Sequence, residues 1–209
     1  MDQKTSVAAA AENVATAALD ESLRVAVARK DVPGIVALVT DRERVLYQGA
    51  FGVADVATGR PLTPDALFRI ASMTKPITSL ALMQLVERGR LGLDDPAEKY
   101  LPELANLKVF ESFDAATGAY RLRPASRPAT ARHFLTHTSG LAYPFTSEVW
   151  RDFKPTAGET FPFGGPLLFD PGERWHYSTS TDVVGRLVEA VSGEKLEDFF
   201  RINIFAPLK

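Results

Sequence analysis

The 209-residue sequence contains no cysteine. That excludes disulfides, thiolate metal sites and a cysteine nucleophile together. No uninterrupted apolar run approaches the roughly 20 residues of a membrane-spanning helix, so no membrane partner is expected. Neither sign of charge dominates: the net charge is −2, which gives no reason to expect nucleic acid or an anionic surface as partner. The G-x-S-x-G nucleophile elbow occurs nowhere. The alanine-rich N-terminus lacks a basic region followed by an apolar core and a small-residue cleavage site, so no leader is expected and the expected localisation is cytoplasmic. What is present is ordinary for a soluble globular protein: 45% apolar and 24% charged residues. A chain of this length can bury roughly 70% of its unfolded surface.

Leu19, Leu23 and Val27 repeat at helical spacing within 8–29, and Asp31-Val32-Pro33-Gly34 ends that helix. GIVALVT (34–40) and RVLYQGAFGV (44–53) read as an antiparallel hairpin turning at Asp41-Arg42-Glu43, followed by a Gly- and Pro-punctuated loop over 54–65. The segment 73–88 is apolar around most of its circumference, which predicts a helix buried inside the protein and closed by Arg88 and Gly89. Asp95-Pro96 predicts a short helix with Asp95 as N-cap. Residues 107–128 fit short strands or irregular loop equally. A helix capped by Thr130 is expected over 129–141, then a long irregular segment over 142–172. STSTDVVGRLVEAVSG reads as a helix with Val183, Leu187 and Val191 on one stripe, and KLEDFFRINIF as the last helix.

Within RIASMTKPITSLALMQLVERG (69–89), Ser72 and Lys75 are three residues apart. On a helix this spacing puts both on one face, with Cβ atoms about 5–6 Å apart. A serine hydroxyl needs a base to become a nucleophile. A lysine can serve if burial or a cationic neighbour lowers its pKa. At a helix N-terminus the free N–H groups and the macrodipole favour developing negative charge. Pro76 is tolerable only in a first helical turn, which fits Ser72 at the very start. Taken alone, a chance S-x-x-K at a helix start explains the pair better than a functional one.

Four stretches appear in order: FRIASMTK, GRLGLDDPAEKYLPEL, FLTHTSGL and PGERWHYSTSTDVVGRLVEAVSG. Together they resemble the serine hydrolases related to class C β-lactamases, which include family VIII carboxylesterases, DD-peptidases and lovastatin-type acyltransferases. The resemblance covers about residues 30–209. It implies an α/β fold of the α+β type, with an antiparallel sheet flanked by helices plus a mainly helical domain. The N-terminal helix and first strands fall at 1–70, and the mainly helical part at 71–209. It implies Ser72 as the acylated nucleophile, Lys75 as its proton partner, and Tyr177 as the tyrosine of the Tyr-x-Asn motif. A tyrosine beside an ammonium can have its pKa lowered and shuttle a proton. The family asparagine is Thr179 here, a candidate substrate-binding residue that cannot offer an amide's donor and acceptor together. That favours esters over β-lactams. Without the resemblance, Tyr177 reads as a packing tyrosine, and Ser178-x-Ser180 offers a second register.

The expected activity is a serine acyl hydrolase working through an acyl-enzyme on short-chain carboxylic esters, with weak β-lactam hydrolysis. The alternatives are a penicillin- or peptidoglycan-binding DD-peptidase-like protein or an acyltransferase. The expected partner is a small-molecule ester or lactam; no cofactor and no metal are expected. His133 and His137 have ligand spacing, but the glutamate of H-E-x-x-H and a third ligand are missing. A triad using His133, His137 or His176 lacks an elbow serine. Asp94-Asp95 suits an N-cap better than a glycosidase pair. Tyr143, Phe145, Trp150, Phe153, Phe161 and Phe163 fit a pocket lining or plain packing equally. Relatives continue beyond a position like Lys209. The resemblance therefore places further strands, a Lys-Thr-Gly, His-x-Gly or Trp-Gly-Gly motif and one oxyanion donor outside this chain. Association with that segment or with another chain is expected, as is an inactive isolated chain.

Overall fold

The computed structural model describes residues 3–208, with side chains from residue 16 onward. It divides after Arg69 into two compact units.

In the first unit, helix α1 (Gln3–Ala28) starts earlier than the periodicity predicts. Leu19, Leu23 and Val27 are half-buried together, and Tyr47 donates its hydroxyl to Asp20 on the same helix over 2.6 Å. Strand β1 (Gly34–Thr40) pairs antiparallel with β2 (Val45–Asp55), in the register Gly34↔Gly52 to Val39↔Tyr47. The turn forms because Asp41 Oδ1 accepts the N–H groups of Glu43 and Arg44, each at 2.8 Å. Gly52 has φ +81°, and a Cβ there would sit 2.3 Å from Pro33 O, so no other residue fits. A two-residue strand β3 (Arg60–Pro61) extends the sheet inside the expected loop. Leu38, Val39, Val45 and Leu46 stay exposed on this hairpin.

The second unit is mainly helical. Helix α2 (Thr74–Glu87) and the later helix α5 (Ser180–Ser192) pack around one core. Leu82, Phe134, Val183, Val184, Leu187, Val188 and Phe199 have no accessible surface. Full burial of such side chains stabilises by about 1.5–3 kcal/mol each. The apolar girdle of α2 is not buried all round, contrary to the sequence expectation. Thr78, Ala81, Leu82 and Leu85 face the core, while Leu80 and Met83 are exposed on the opposite side. Arg88 and left-handed Gly89 end it as expected. Residues 107–128 form a hairpin of β4 (Lys108–Phe113) and β5 (Tyr120–Pro124), turned by Asp114 and covered by edge-to-face contacts of Phe153 with Phe110 and Tyr120.

Three further expectations are corrected. Asp95 is not an N-cap. Pro96 caps a single 3-10 turn, and the Asp95 carboxylate instead accepts from Gly92 N–H, Lys99 and Tyr100. The helix capped by Thr130, α3 (Ala131–Leu135), stops well short of Gly140 because His137 turns left-handed at φ 55°. The long segment 142–172 contains a one-turn helix α4 (Glu148–Asp152), whose buried Trp150 donates Nε1–H to Pro166 O over 2.8 Å. The last helix, α6 (Leu196–Phe200), continues through a π-turn at Arg201–Phe205 into Ala206–Leu208. Pro207 has no N–H for the Asn203 carbonyl, and the Gln84 side-chain amide donates to that oxygen over 3.1 Å.

Asp170 ties β5 to the segment before α5. It accepts a two-pronged contact from Arg123 at 2.8 and 3.1 Å and the Ser126 N–H at 2.8 Å, which hold its pKa down at about 2. Asp170→Ala is expected to cost about 2 kcal/mol at most at neutral pH, since Arg123 is partly exposed and screened. That contribution is complete above the ordinary carboxylate range and shrinks as pH falls below about 4. It is lost through about 2. Urea unfolding of both proteins across that range measures it.

Candidate active site

Ser72 lies in a 3-10 turn, Ala71–Met73, that feeds directly into α2. Ala71 is held at φ 44°, a left-handed conformation that costs an L-residue about 1–2 kcal/mol. Such strain clusters where a side chain has to be aimed. The turn exposes Ser72 at the N-terminal end of α2. Lys75 follows in the first turn of the helix, where Pro76 forfeits an N–H that has no intrahelical partner anyway.

Lys75 Nζ donates to Ser72 Oγ over 3.2 Å, and Tyr177 donates its hydroxyl to the same oxygen over 2.7 Å. The ammonium also lies over two aromatic faces, 4.9 Å from the Tyr177 ring centre and 5.8 Å from that of Tyr143. Three of the four sequence-derived candidates therefore converge on one oxygen. Thr179 does not join them. Its Oγ1 is buried and has no hydrogen-bond partner among the described residues.

The pKa of Lys75 shifts in the direction opposite to the one a lysine base needs. Burial alone would lower the Lys75 pKa, as the sequence reading of a lysine base requires. Hydrogen bonding to Tyr177 and the nearby Tyr143 phenol outweigh it, and the pKa is raised. The charged form of Lys75 is thereby favoured. Tyr177 moves the other way: its hydrogen bonds to Lys75 and Ser72 outweigh burial and lower its pKa. Of the two groups on Ser72 Oγ, only the phenol has its pKa moved toward neutrality.

The family described as Beta-lactamase matches this chain over residues 19–209. The chain belongs to the β-lactamase family. The acyltransferase mokF of Monascus pilosus is 35% identical over 91% of this chain and 49% of its own length. Esterase EstB of Burkholderia gladioli is 37% identical over 86% of this chain and 45% of its own. The unliganded simvastatin synthase LovD of Aspergillus terreus superposes with a TM-score of 0.81 at 34% identity, over 92% of this chain and 52% of that one. The chain thus spans about half the length of the relatives it matches.

In this β-lactamase-family chain, two residues near Lys75 escape the sequence reading in whole or part. Tyr143 is legible as an aromatic, but its place under the ammonium depends on the turn after α3, where it stacks on Phe145 and leans on Tyr177. Asp182 gave no signal, because an acid in the first turn of α5 looks like an ordinary dipole partner. It shares a cavity of about 270 Å³ with Lys75, Thr74, Thr78 and Arg186; its side chain is exposed at the rim, and partial desolvation raises its pKa against the pull of Lys75. His133, His137 and His176 all have pKa values lowered chiefly by burial. No cluster able to hold a metal occurs among the described residues. No helix among them is long and apolar enough to cross a membrane.

Proposed function

We propose that Ser72 is the acylated nucleophile of a serine carboxylesterase acting on short-chain esters, with weak β-lactam hydrolysis as a side activity. The reading rests on the convergence of Lys75 and Tyr177 on Ser72 Oγ at 3.2 and 2.7 Å. With Lys75 protonated, ionised Tyr177 accepts the Ser72 proton as Oγ bonds to the ester carbonyl carbon. The oxyanion forms at the N-terminal end of α2, where the Ser72 N–H and the helix dipole favour negative charge. Tyr177 then returns the proton to the departing alkoxide, and the C–O bond breaks to leave an acyl-Ser72 ester. Water repeats the sequence: its proton passes to Tyr177 and then to Ser72 Oγ as the acid leaves. Threonine in place of an amide at position 179 supports esters over lactams, since only an amide offers donor and acceptor together.

A second reading is favoured by the similarity to mokF and LovD: an alcohol replaces water and the acyl group is transferred. The same acyl-Ser72 serves both. The test treats the protein, purified at its native length, with a fluorophosphonate and maps the adduct. One adduct on Ser72, absent from Ser72→Ala, is expected. No adduct on Ser72 would overturn the reading. An added alcohol that captures the acyl group as a new ester, faster than water captures it, would assign the protein to the transferases.

A further inference from the structure

Tyr177 can serve Ser72 only if its phenol is aimed, and the aim is set by the peptide group that joins it to Ser178. Both edges of that peptide are held by side chains from distant parts of the chain. Its carbonyl, Tyr177 O, accepts from Thr146 Oγ1 at 3.2 Å. Its N–H, on Ser178, donates to His137 Nδ1 at 3.3 Å. His137 also packs its ring against Tyr177, with centres 4.8 Å apart, and edge-on to Trp175. The His137 carbonyl accepts the His176 N–H at 2.8 Å, so His137 contacts each residue from Trp175 to Ser178. Beneath it, the buried hydroxyls of Ser139, Ser180 and Ser178 run in a chain with 2.7 Å steps. His137 reaches this place through a left-handed φ of 55°, a conformation few non-glycine residues adopt and histidine tolerates better than most.

We propose that His137, together with Thr146, is a positioning residue that clamps the Tyr177–Ser178 peptide, and that it does so only as the neutral tautomer protonated on Nε2. The backbone contact selects the tautomer; Ser178 Oγ, also 3.3 Å from Nδ1, can turn its hydroxyl to donate there. A backbone N–H can only donate, so the Nδ1 atom it meets must carry a lone pair. Protonating Nδ1 would set two N–H groups against each other and release one edge of the peptide. The titratable groups facing His137 are Tyr177, whose ring it touches, and Lys75 on α2; burial and then the Lys75 charge lower the imidazole pKa. The clamp is built for conditions above the His137 pKa, which lies below the ordinary histidine value.

The inference rests on the nucleophile role of Ser72 proposed above, and its test separates the two. Asparagine at 137 keeps an acceptor where Nδ1 stands, tolerates the left-handed backbone and cannot titrate. Phenylalanine keeps the ring and loses the acceptor. The rate of Ser72 phosphonylation is measured against pH for wild type, His137→Asn and His137→Phe, with nitrogen NMR of the His137 ring alongside. Beyond the slope that Tyr177 sets, wild type is expected to show a second, steeper acid limb as pH falls through the His137 pKa. His137→Asn is expected to lose that limb and keep its rate within about threefold at alkaline pH. His137→Phe is expected to be slower by about 10- to 100-fold throughout, the size of effect that misaiming a catalytic group produces. An acid limb unchanged in His137→Asn, or a wild-type rate in His137→Phe, would overturn the clamp. If His137→Phe does not fold, the His137→Asn profile still decides. If wild type is not labelled at all, the nucleophile role fails and NMR decides the clamp: the Nε2–H tautomer supports it and the Nδ1–H tautomer refutes it.

Discussion

Tyr177→Phe is expected to slow acylation of Ser72 by about 10²- to 10⁴-fold, the range in which a general base contributes. The substitution removes one oxygen and little else. The ring contacts to His137, Tyr143 and Trp175 survive, as does the clamped peptide. Ser72 loses its 2.7 Å partner and keeps Lys75 at 3.2 Å. Lys75 cannot replace the phenol, because its pKa is raised and it holds its proton through neutral pH. The wild-type rate should therefore climb with pH up to the Tyr177 pKa, which lies below the ordinary tyrosine value, and this limb should vanish in the variant. Burst kinetics with an activated ester, read beside circular dichroism, test both halves. A variant that acylates at the wild-type rate would remove Tyr177 from the mechanism.

The two halves of this site were legible to different degrees. Ser72 and Lys75 are three residues apart, so helical geometry alone predicts their meeting, and it occurs. Tyr177 lies 105 residues from Ser72, and no local pattern reaches that far; only the ordered family motifs pointed to it. The amphipathic stripe of α5 was readable because Val183, Val184, Leu187 and Val188 share one face of a regular helix. The extent of α3 was not, because the left-handed turn at His137 breaks a sequence whose local preferences continue as helix. The β4–β5 hairpin stayed ambiguous for a related reason: a register shift between Phe110 and Ser112 breaks the alternation by which a strand is recognised. The exposed Leu80 and Met83 mark a further boundary of sequence reading. Hydrophobic pattern states which surfaces need cover, but it does not state which chain supplies it.

Lys75 is the residue whose proposed role differs most from the sequence reading of a lysine base, and its replacement should expose that role. If the ammonium acts as a fixed charge that lowers the Tyr177 pKa, Lys75→Met should return the phenol toward its ordinary value. A neighbouring opposite charge shifts a pKa by about 1–3 units, so the ionised fraction near neutrality should fall about 10- to 1,000-fold, and the acylation rate with it. The loss should be recoverable: the pH–rate profile of Lys75→Met should move to the alkaline side and approach wild type as the phenol ionises. Lys75→Arg retains the charge but not the compact ammonium, and should fall between the two. Ultraviolet difference titration of tyrosinate measures the shift directly, without reference to turnover. If Lys75→Met were slow at every pH while Tyr177 titrated as in wild type, the lysine would be acting by transferring a proton. The charge-based account would then give way to a lysine base.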